Sequence, residues 1–347
     1  MRSRHRIIII AIPVLLFAAE AAYWRIAAER LQQGYESWAA EQVSKGWQIG
    51  SGPVSMGGWP ASAQVDIDHL VLRHNRPAMP GDVNVAASGV ILSVSLFNPN
   101  SLQLRLNGPV HVQAGSMPDI VVTGENIAAQ TPLRQDASLS VELRANAMQI
   151  QAANQVWTAT LGLLSAKAEV TPGSPAGQSE PAATFAVSAS SIALPAAVKW
   201  PLGPNVSSLS LEGSLIGPIP DTRDTTAWAE AWRDGGGSLE IKHFTMGWGP
   251  LGFTTSATLA LDDQLQPMGS GNARIVGYAE TLDRMAAAGA LTKSAATAAK
   301  AVLSLMAGTS DTDQPAMVDV PLTLQYRTLS MRQVPLVRLP EVDWPEH

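Results

Sequence analysis

A chain of 347 residues with 46% hydrophobic composition can bury one large or two ordinary cores, which excludes a disordered polymer and a disulfide-stapled miniprotein. Its 23 Lys+Arg stand against 29 Asp+Glu, and a net charge of −6 leaves no basic field for nucleic acid. There is no cysteine, so disulfides, thiolate catalysis and cysteine-held metal centres are excluded.

At the amino terminus Arg2, Arg4 and Arg6 precede an apolar run from Ile7 to Ala19. Such cations stay on the cytoplasmic side, so the chain is expected to enter a bilayer amino end first, with its body in a periplasm. Two readings compete. Ala19-Glu20-Ala21 offers the small-x-small site of a cleaved signal peptide. A retained anchor needs about 20 apolar residues to cross ~30 Å of hydrocarbon, and Ile7–Ala28 meets that length. The anchor is the expectation: a single-pass inner-membrane helix in which Ile7, Ile8, Ile9, Ile10, Val14, Leu15, Leu16 and Phe17 meet lipid. Trp24, beside Tyr23, then suits the interfacial belt. Trp24, Ala28, Leu31, Tyr35 and Trp38 recur at helical spacing, which predicts that the helix continues outward as an amphipathic stalk. Lys45-Gly46 ends it, giving a first segment of residues 1–46.

Beyond Gly46 the dominant period is two. Leu102, Leu104 and Leu106 alternate with Gln103 and Arg105, Val110 and Val112 with His111 and Gln113, and Leu139, Val141 and Leu143 with polar neighbours. Leu209/Leu211 and Val318/Val320/Leu322/Leu324 repeat the pattern, as antiparallel strands with one buried face require. Gly-Pro pairs at 52–53, 108–109, 203–204, 217–218 and 249–250 punctuate the strands, because proline cannot donate to a ladder. Gly57-Gly58-Trp59-Pro60 and Gly247-Trp248-Gly249-Pro250 are loosely alike, without proving a duplication.

The aperiodic stretch 172–183 reads either as a linker between β regions 47–171 and 184–347 or as a long hairpin loop within one sheet. Three short helices are expected: 224–234 with Trp228 and Trp232, 278–288 with Leu282, Met285 and Ala286, and 291–306. The last has Leu291, Ala295, Ala298, Val302 and Leu305 as its covering stripe, with Lys293 and Lys300 outside it. The expected fold is therefore mainly β (α+β): the anchor and stalk, then a large curved antiparallel β-sheet or sandwich-like body with about three short helices covering it.

Catalytic motifs are absent. The six histidines include no His-Glu-x-x-His, and there is no Gly-x-Ser-x-Gly elbow. Thr297-Ala-Ala-Lys300 only imitates a Ser-x-x-Lys pair, and Gly269-Ser-Gly271 lacks the rest of a nucleotide loop. Asp66, Asp68 and His69 form the best acidic cluster; two carboxylates on one strand face suit a hard cation, but also the solvated side of a strand. No catalytic residue, metal or cofactor is expected. The remaining tryptophans, among them Trp47, Trp59, Trp157, Trp200 and Trp248, are expected to fill sheet corners.

Several short stretches together carry a family resemblance: Trp24, Gly34-Tyr-Glu-Ser-Trp38, Gly46, Ser55-Met-Gly-Gly-Trp-Pro60, Gly237-Ser-Leu-Glu-Ile241, Met246-Gly-Trp-Gly-Pro-Leu251, Ala257-Thr-Leu-Ala-Leu-Asp-Asp263, Gln266-Pro-Met-Gly269, Ile275-Val-Gly-Tyr278 and Leu282. With them the chain resembles the single-anchor bacterial envelope family called domain of unknown function 2125, over nearly its whole length. That resemblance implies anchor, compartment and fold, and no catalytic residue. The Leu-Asp…Gly…helix ending is also similar to the tail of AsmA-type envelope proteins, departing from it where Ala257-Thr258 replaces a leading glycine. The AsmA likeness implies an apolar trough for acyl chains.

The leading expectation is a non-enzymatic, membrane-tethered envelope protein that binds lipid or another hydrophobic chain along a groove lined by Leu102, Leu104, Leu106, Leu209 and Leu211. Each methylene buried there contributes about 0.8 kcal/mol, so no motif residue is needed. The second expectation is an envelope scaffold with a solid core that docks a protein partner through the stalk and the helices at 278–306. The third is an enzyme built on Asp66, Asp68 and His69.

Overall fold

The computed structural model describes residues 2–74, 83–115, 118–133, 138–152, 156–171, 181–220, 222, 224–307, 317–331 and 334–344, with the side chains of residues 2–16 and 334 outside the description. Its contacts divide the chain into two units, Met1–Asp136 and Ala137–His347.

The first unit opens with α1 (Arg2–Ser44), followed by β1 (Trp47–Gly50), β2 (Val54–Gly57), β3 (Ser62–His74), β4 (Val83–Ser95), β5 (Ser101–Leu106), β6 (Val110–Ala114) and β7 (Ile120–Pro132). All pairings are antiparallel. β1 and β2 both pair with β3, β3 pairs with β4, and β4 pairs with β5 along one half and β6 along the other. β7 then pairs with both β5 and β6. Gly52-Pro53 and Gly108-Pro109 therefore interrupt ribbons without reversing the chain. The gaps are bridged by Gly52 N–H to the Asp68 carbonyl (2.6 Å) and Ser88 N–H to the Pro109 carbonyl (3.1 Å).

These interruptions share a level with two left-handed residues inside strands, His69 in β3 (φ 50°) and Asn126 in β7 (φ 52°). Both are residue types that tolerate this conformation. The kink reverses the phase of alternation: Val65 and Ile67 face the core before it and Leu70 after it, while on β4 Leu92 and Val90 give way to Ala87 and Val85. One face thus stays apolar past the bend. Its centre is Val65, Ile67, Ala87, Val90 and Val110, joined by Tyr35 of α1.

Two expectations need correction here, the outward stalk and the interfacial place of Trp24. The helix from Arg2 to Ser44 exists, but among the described residues no helix is long and apolar enough to cross a membrane. Ile7, Ile8, Ile9, Ile10, Val14, Leu15 and Leu16 have side chains outside the description. The stretch expected as a free stalk lies on the sheet instead, with Ala28 and Tyr35 buried and Leu31 packed against the core. Nor is Trp24 a free interfacial side chain, since its indole N–H lies 3.2 Å from the Gly57 carbonyl and 3.0 Å from that of Ser62. The physical reason is the stripe itself. An apolar helix face within reach of an apolar sheet face is stabilised by burial, and a stalk in water forgoes that.

The second unit is a meander in which each strand pairs antiparallel with the next: β8 (Leu139–Ala152), β9 (Thr158–Val170), β10 (Pro181–Ala193), β11 (Asn205–Ile216), β12 (Ser238–Trp248), β13 (Leu251–Leu261), β14 (Pro267–Val276), β15 (Met317–Gln325), β16 (Thr328–Met331) and β17 (Val334–Arg338). The strands either side of 172–183 pair with each other, and the division between units falls at 136/137. α2 (Thr225–Asp234) is capped by Asp224, whose carboxylate accepts from the Thr226 and Ala227 amides at 2.9 and 3.0 Å. It stops at Gly235-Gly-Gly because the Trp232 ring lies on the chain there; a Cβ on Gly237 would stand 2.4 Å from that ring.

α3 (Tyr278–Ala287) and α4 (Lys293–Ala307) form a helical hairpin over β14–β16. Gly277 makes the sharp entry at φ 71°, where a Cβ would collide with the Pro250 carbonyl at 2.0 Å. Tyr278, Val318 and Val320 form a closed cluster with Leu303 and Met306. α4 uses a different face from the expected one. Ala296 is buried, whereas Val302 and Leu305 are 46% and 86% exposed. Lys300, expected outside, pairs with Asp283 of α3. An alanine-rich helix offers two apolar stripes, and its neighbour α3 selects between them.

Candidate functional site

Within the first unit, α1 and the sheet do not close on each other everywhere. Between them lies a cavity of about 710 Å³, well within the range of small-molecule sites. Its helix wall is Tyr23, Ile26, Ala27, Leu31, Gly34 and Trp38, a run at three- and four-residue spacing. Its floor is the kinked sheet, chiefly the 62/95 side of the bend: Ile67 of β3, Val90, Leu92 and Val94 of β4, and Leu102 and Leu104 of β5, with Leu70 just past the kink. Pro99 and Leu133 line it from the strand connections. Gly34 leaves room where a larger side chain would narrow the space, as a Cβ there would meet nothing within 4 Å.

Two contacts hold the walls apart at fixed spacing. Trp24 is pinned to the Gly57 and Ser62 carbonyls, and three turns further on Tyr35 is sunk in the sheet core, its ring 6.2 Å from Trp38. From Tyr23 to Trp38 the helix advances about 22 Å at 1.5 Å per residue. An acyl chain filling one leaflet of a ~30 Å hydrocarbon core spans about 15 Å, so the cavity has the length for one. Arg30 is the one charged side chain among the described lining residues. Elsewhere along the helix Arg25 pairs with Glu29, and Glu41 pairs with Lys45 just past its end, both exposed and at 2.6 Å.

The structure places the expected groove leucines in three settings. Leu102 and Leu104 line the cavity, while Leu106 packs against the core beside it. Leu209 and Leu211 lie in the second unit, on the face where Leu209 opposes Met246, Met246 opposes Phe253, Phe253 opposes Ile275 and Ile275 opposes Val318. The sequence stripe supplies Leu31, Tyr35 and Trp38 of the helix wall and misses Tyr23, Ile26, Ala27 and Gly34, because the expected membrane span runs to Ala28. Tyr23, Ala27, Arg30 and Gly34 recur at the same helical spacing, each one position before Trp24, Ala28, Leu31 and Tyr35. Of the anchor residues with described side chains, Phe17 is exposed and stacks edge-to-face on Trp59 at 5.3 Å.

The polar clusters are organised differently. Asp66, Asp68 and His69 lie on β3, with His69 supplying the kink, and among the described residues no group of three or more ligating side chains could hold a metal ion. On β14 and β15 Arg274 donates to Asp319 at 2.8 and 3.1 Å, which holds the Asp319 carboxyl below the usual carboxylate range. The pair is exposed and lies directly across the strands, so it acts as a surface cross-strand contact. His111 sits 3.1 Å from Asp119 in a similar exposed setting. Trp200 donates to the Pro195 carbonyl (2.9 Å), Trp248 to that of Gly203 (2.7 Å) and Trp344 to that of Leu265 (2.9 Å), whereas Trp59 stays 43% exposed.

Residues 24–340 match one family model, described as an uncharacterized protein conserved in bacteria, DUF2125. No curated protein and no solved structure matches the chain.

Proposed function

We propose, for a chain that belongs to the DUF2125 family of bacterial proteins, a non-enzymatic role in the cell envelope: the first unit holds one hydrocarbon chain in the cavity between α1 and its sheet. The observation that carries this reading is the cavity's lining, apolar along about 22 Å of helix with a single guanidinium on its wall. Such a surface gains about 0.8 kcal/mol per buried methylene and demands no precise headgroup. Arg30 suits an acidic headgroup or carboxylate at the cavity edge.

The tether belongs to the same proposal. Ile7–Phe17, with Arg2, Arg4 and Arg6 before it, supports a helix inserted in the inner membrane and a body in the periplasm. Lipid extraction from the purified full chain, read by mass spectrometry, returns acyl-bearing species, and a fluorescent fatty acid binds. An empty protein with no probe uptake overturns the lipid reading. A phosphatase fused to the carboxyl end is active if the body is periplasmic and inactive if it is not.

A second reading, docking of a protein partner, is favoured by one observation: α4 turns Val302 and Leu305 to solvent. Leu305→Glu then releases a partner captured by crosslinking in membranes while leaving fatty-acid binding unchanged.

A further inference from the structure

We infer that the end of the first unit carrying Trp59, Phe97 and Leu133 is a rim that docks on a lipid bilayer, so that the cavity opens directly onto acyl chains. This rests on the tethered, lipid-binding reading above and adds to it where the body sits and how the ligand enters.

Three connections meet at this end. The β2–β3 turn presents Trp59, the β4–β5 connection presents Phe97, and the chain leaving β7 presents Leu133, with exposures of 43%, 85% and 47%. They are held side by side, since Ser62 opposes Ser95, Leu96 N–H bonds the Ala61 carbonyl at 3.1 Å, and Leu133 N–H bonds the Asn100 carbonyl at 2.8 Å. Neither Gly58–Ala61 nor Leu96–Asn100 contains a charged residue. Large exposed apolar side chains gathered at one end of a domain mark a surface that is covered in use.

The path of α1 identifies what covers it. Trp24 fixes the helix to the β2–β3 hairpin at this same end, and seven residues earlier Phe17 reaches Trp59. The helix is continuous from Arg2, so the sequence Ile7–Leu16 leaves the unit past this rim and nowhere else. Along α1 no charged residue lies between Arg6 and Glu20, one turn on the body side of Phe17, and the charged pairs Arg25–Glu29 and Glu41–Lys45 follow beyond Trp24. A hydrocarbon phase beyond the rim accounts for the apolar run, the exposed aromatics at the boundary and the onset of charge together. A protein partner accounts only for the aromatics. The cavity reaches the rim through Pro99 and Leu133, which places its mouth at the level where acyl chains begin.

The chain has no cysteine, so single reporters can be placed cleanly. Full-length Phe97→Cys and, as a control at the far end of α1, Lys45→Cys are labelled with an environment-sensitive fluorophore. Both are reconstituted in phosphatidylethanolamine–phosphatidylglycerol vesicles. The label at 97 shifts to the blue and is quenched by lipids carrying a nitroxide near the headgroup, while the label at 45 stays aqueous. A label at 97 as aqueous as that at 45 overturns the inference. Carbonate extraction of the same vesicles separates the two ideas: retention with an aqueous 97 sinks the rim alone, and release sinks the tether as well. A second variant, Trp59→Asp with Phe97→Asp, slows transfer of a fluorescent fatty acid from vesicles on the order of tenfold. It leaves binding of the same probe from solution unchanged, a result that misfolding would not produce. Equal transfer rates from vesicles overturn the assignment of the mouth.

Discussion

The two units solve the same problem with different covers. Each has an antiparallel sheet with one apolar face. In the second, the α3–α4 hairpin sits down on β14–β16, and Tyr278, Val318 and Val320 are at most 5% exposed beneath it. In the first, a single long helix touches the sheet at Ala28, Leu31 and Tyr35 and is pinned at Trp24, and beside these contacts it leaves about 710 Å³ unfilled. A hairpin can tilt to follow a curved face and has a second helix to fill the gap. A lone straight helix across a kinked sheet meets it only at intervals, and what remains is a groove.

This contrast makes overpacking informative, and the largest effect is expected where packing is closed. Val320→Phe places extra volume in a full site and lowers stability by about 1–3 kcal/mol. Leu104→Phe enters open space and costs less than about 1.5 kcal/mol, the range for swaps that find room, while weakening fatty-acid binding. Chemical denaturation and probe titration of both variants check this; equal destabilisation would mean that the first unit is as solid as the second. Next comes the pin. Trp24→Phe keeps the ring but removes the donor shared by the Gly57 and Ser62 carbonyls, and should cost about 1 kcal/mol and loosen α1, read by hydrogen exchange across residues 20–40.

The smallest effect belongs to the surface of the second unit. Arg274 holds the Asp319 carboxyl below its ordinary value in the folded chain. The unfolded chain therefore binds that proton more readily, so the pair's contribution is present above the usual carboxylate range. It is lost as pH falls through the lowered folded value. Both side chains are exposed, so the effect is slight. Thermal melts of Asp319→Asn should match the parent at acid pH and fall just below it near neutrality; no difference at any pH would mean the pair contributes nothing.

Much of the architecture was legible beforehand because its causes are local. The alternation at Leu102–Leu106 and Val318–Leu324 named strands, and Asp224 and the triple glycine bounded α2. Where the cause lay in another element, local reading went astray. Val302 and Leu305 look as fit for burial as Leu303 and Met306, and only the positions of α3 and β15 separate them. The helix wall of the groove was hidden in the same way, because Tyr23–Trp38 can face lipid, water or a sheet with one and the same periodicity.

By itself, then, the sequence determined a chain of antiparallel ribbons interrupted at Gly-Pro pairs, an apolar leader behind three arginines, and a family of bacterial proteins to which it belongs. The tertiary structure alone decided that α1 lies on the first sheet and that Leu102 and Leu104 line a cavity while Leu209 and Leu211 lie in the other unit. The physical reason is that hydrogen-bond period and turn geometry depend on neighbours in the chain. Burial and empty space depend on which surfaces meet.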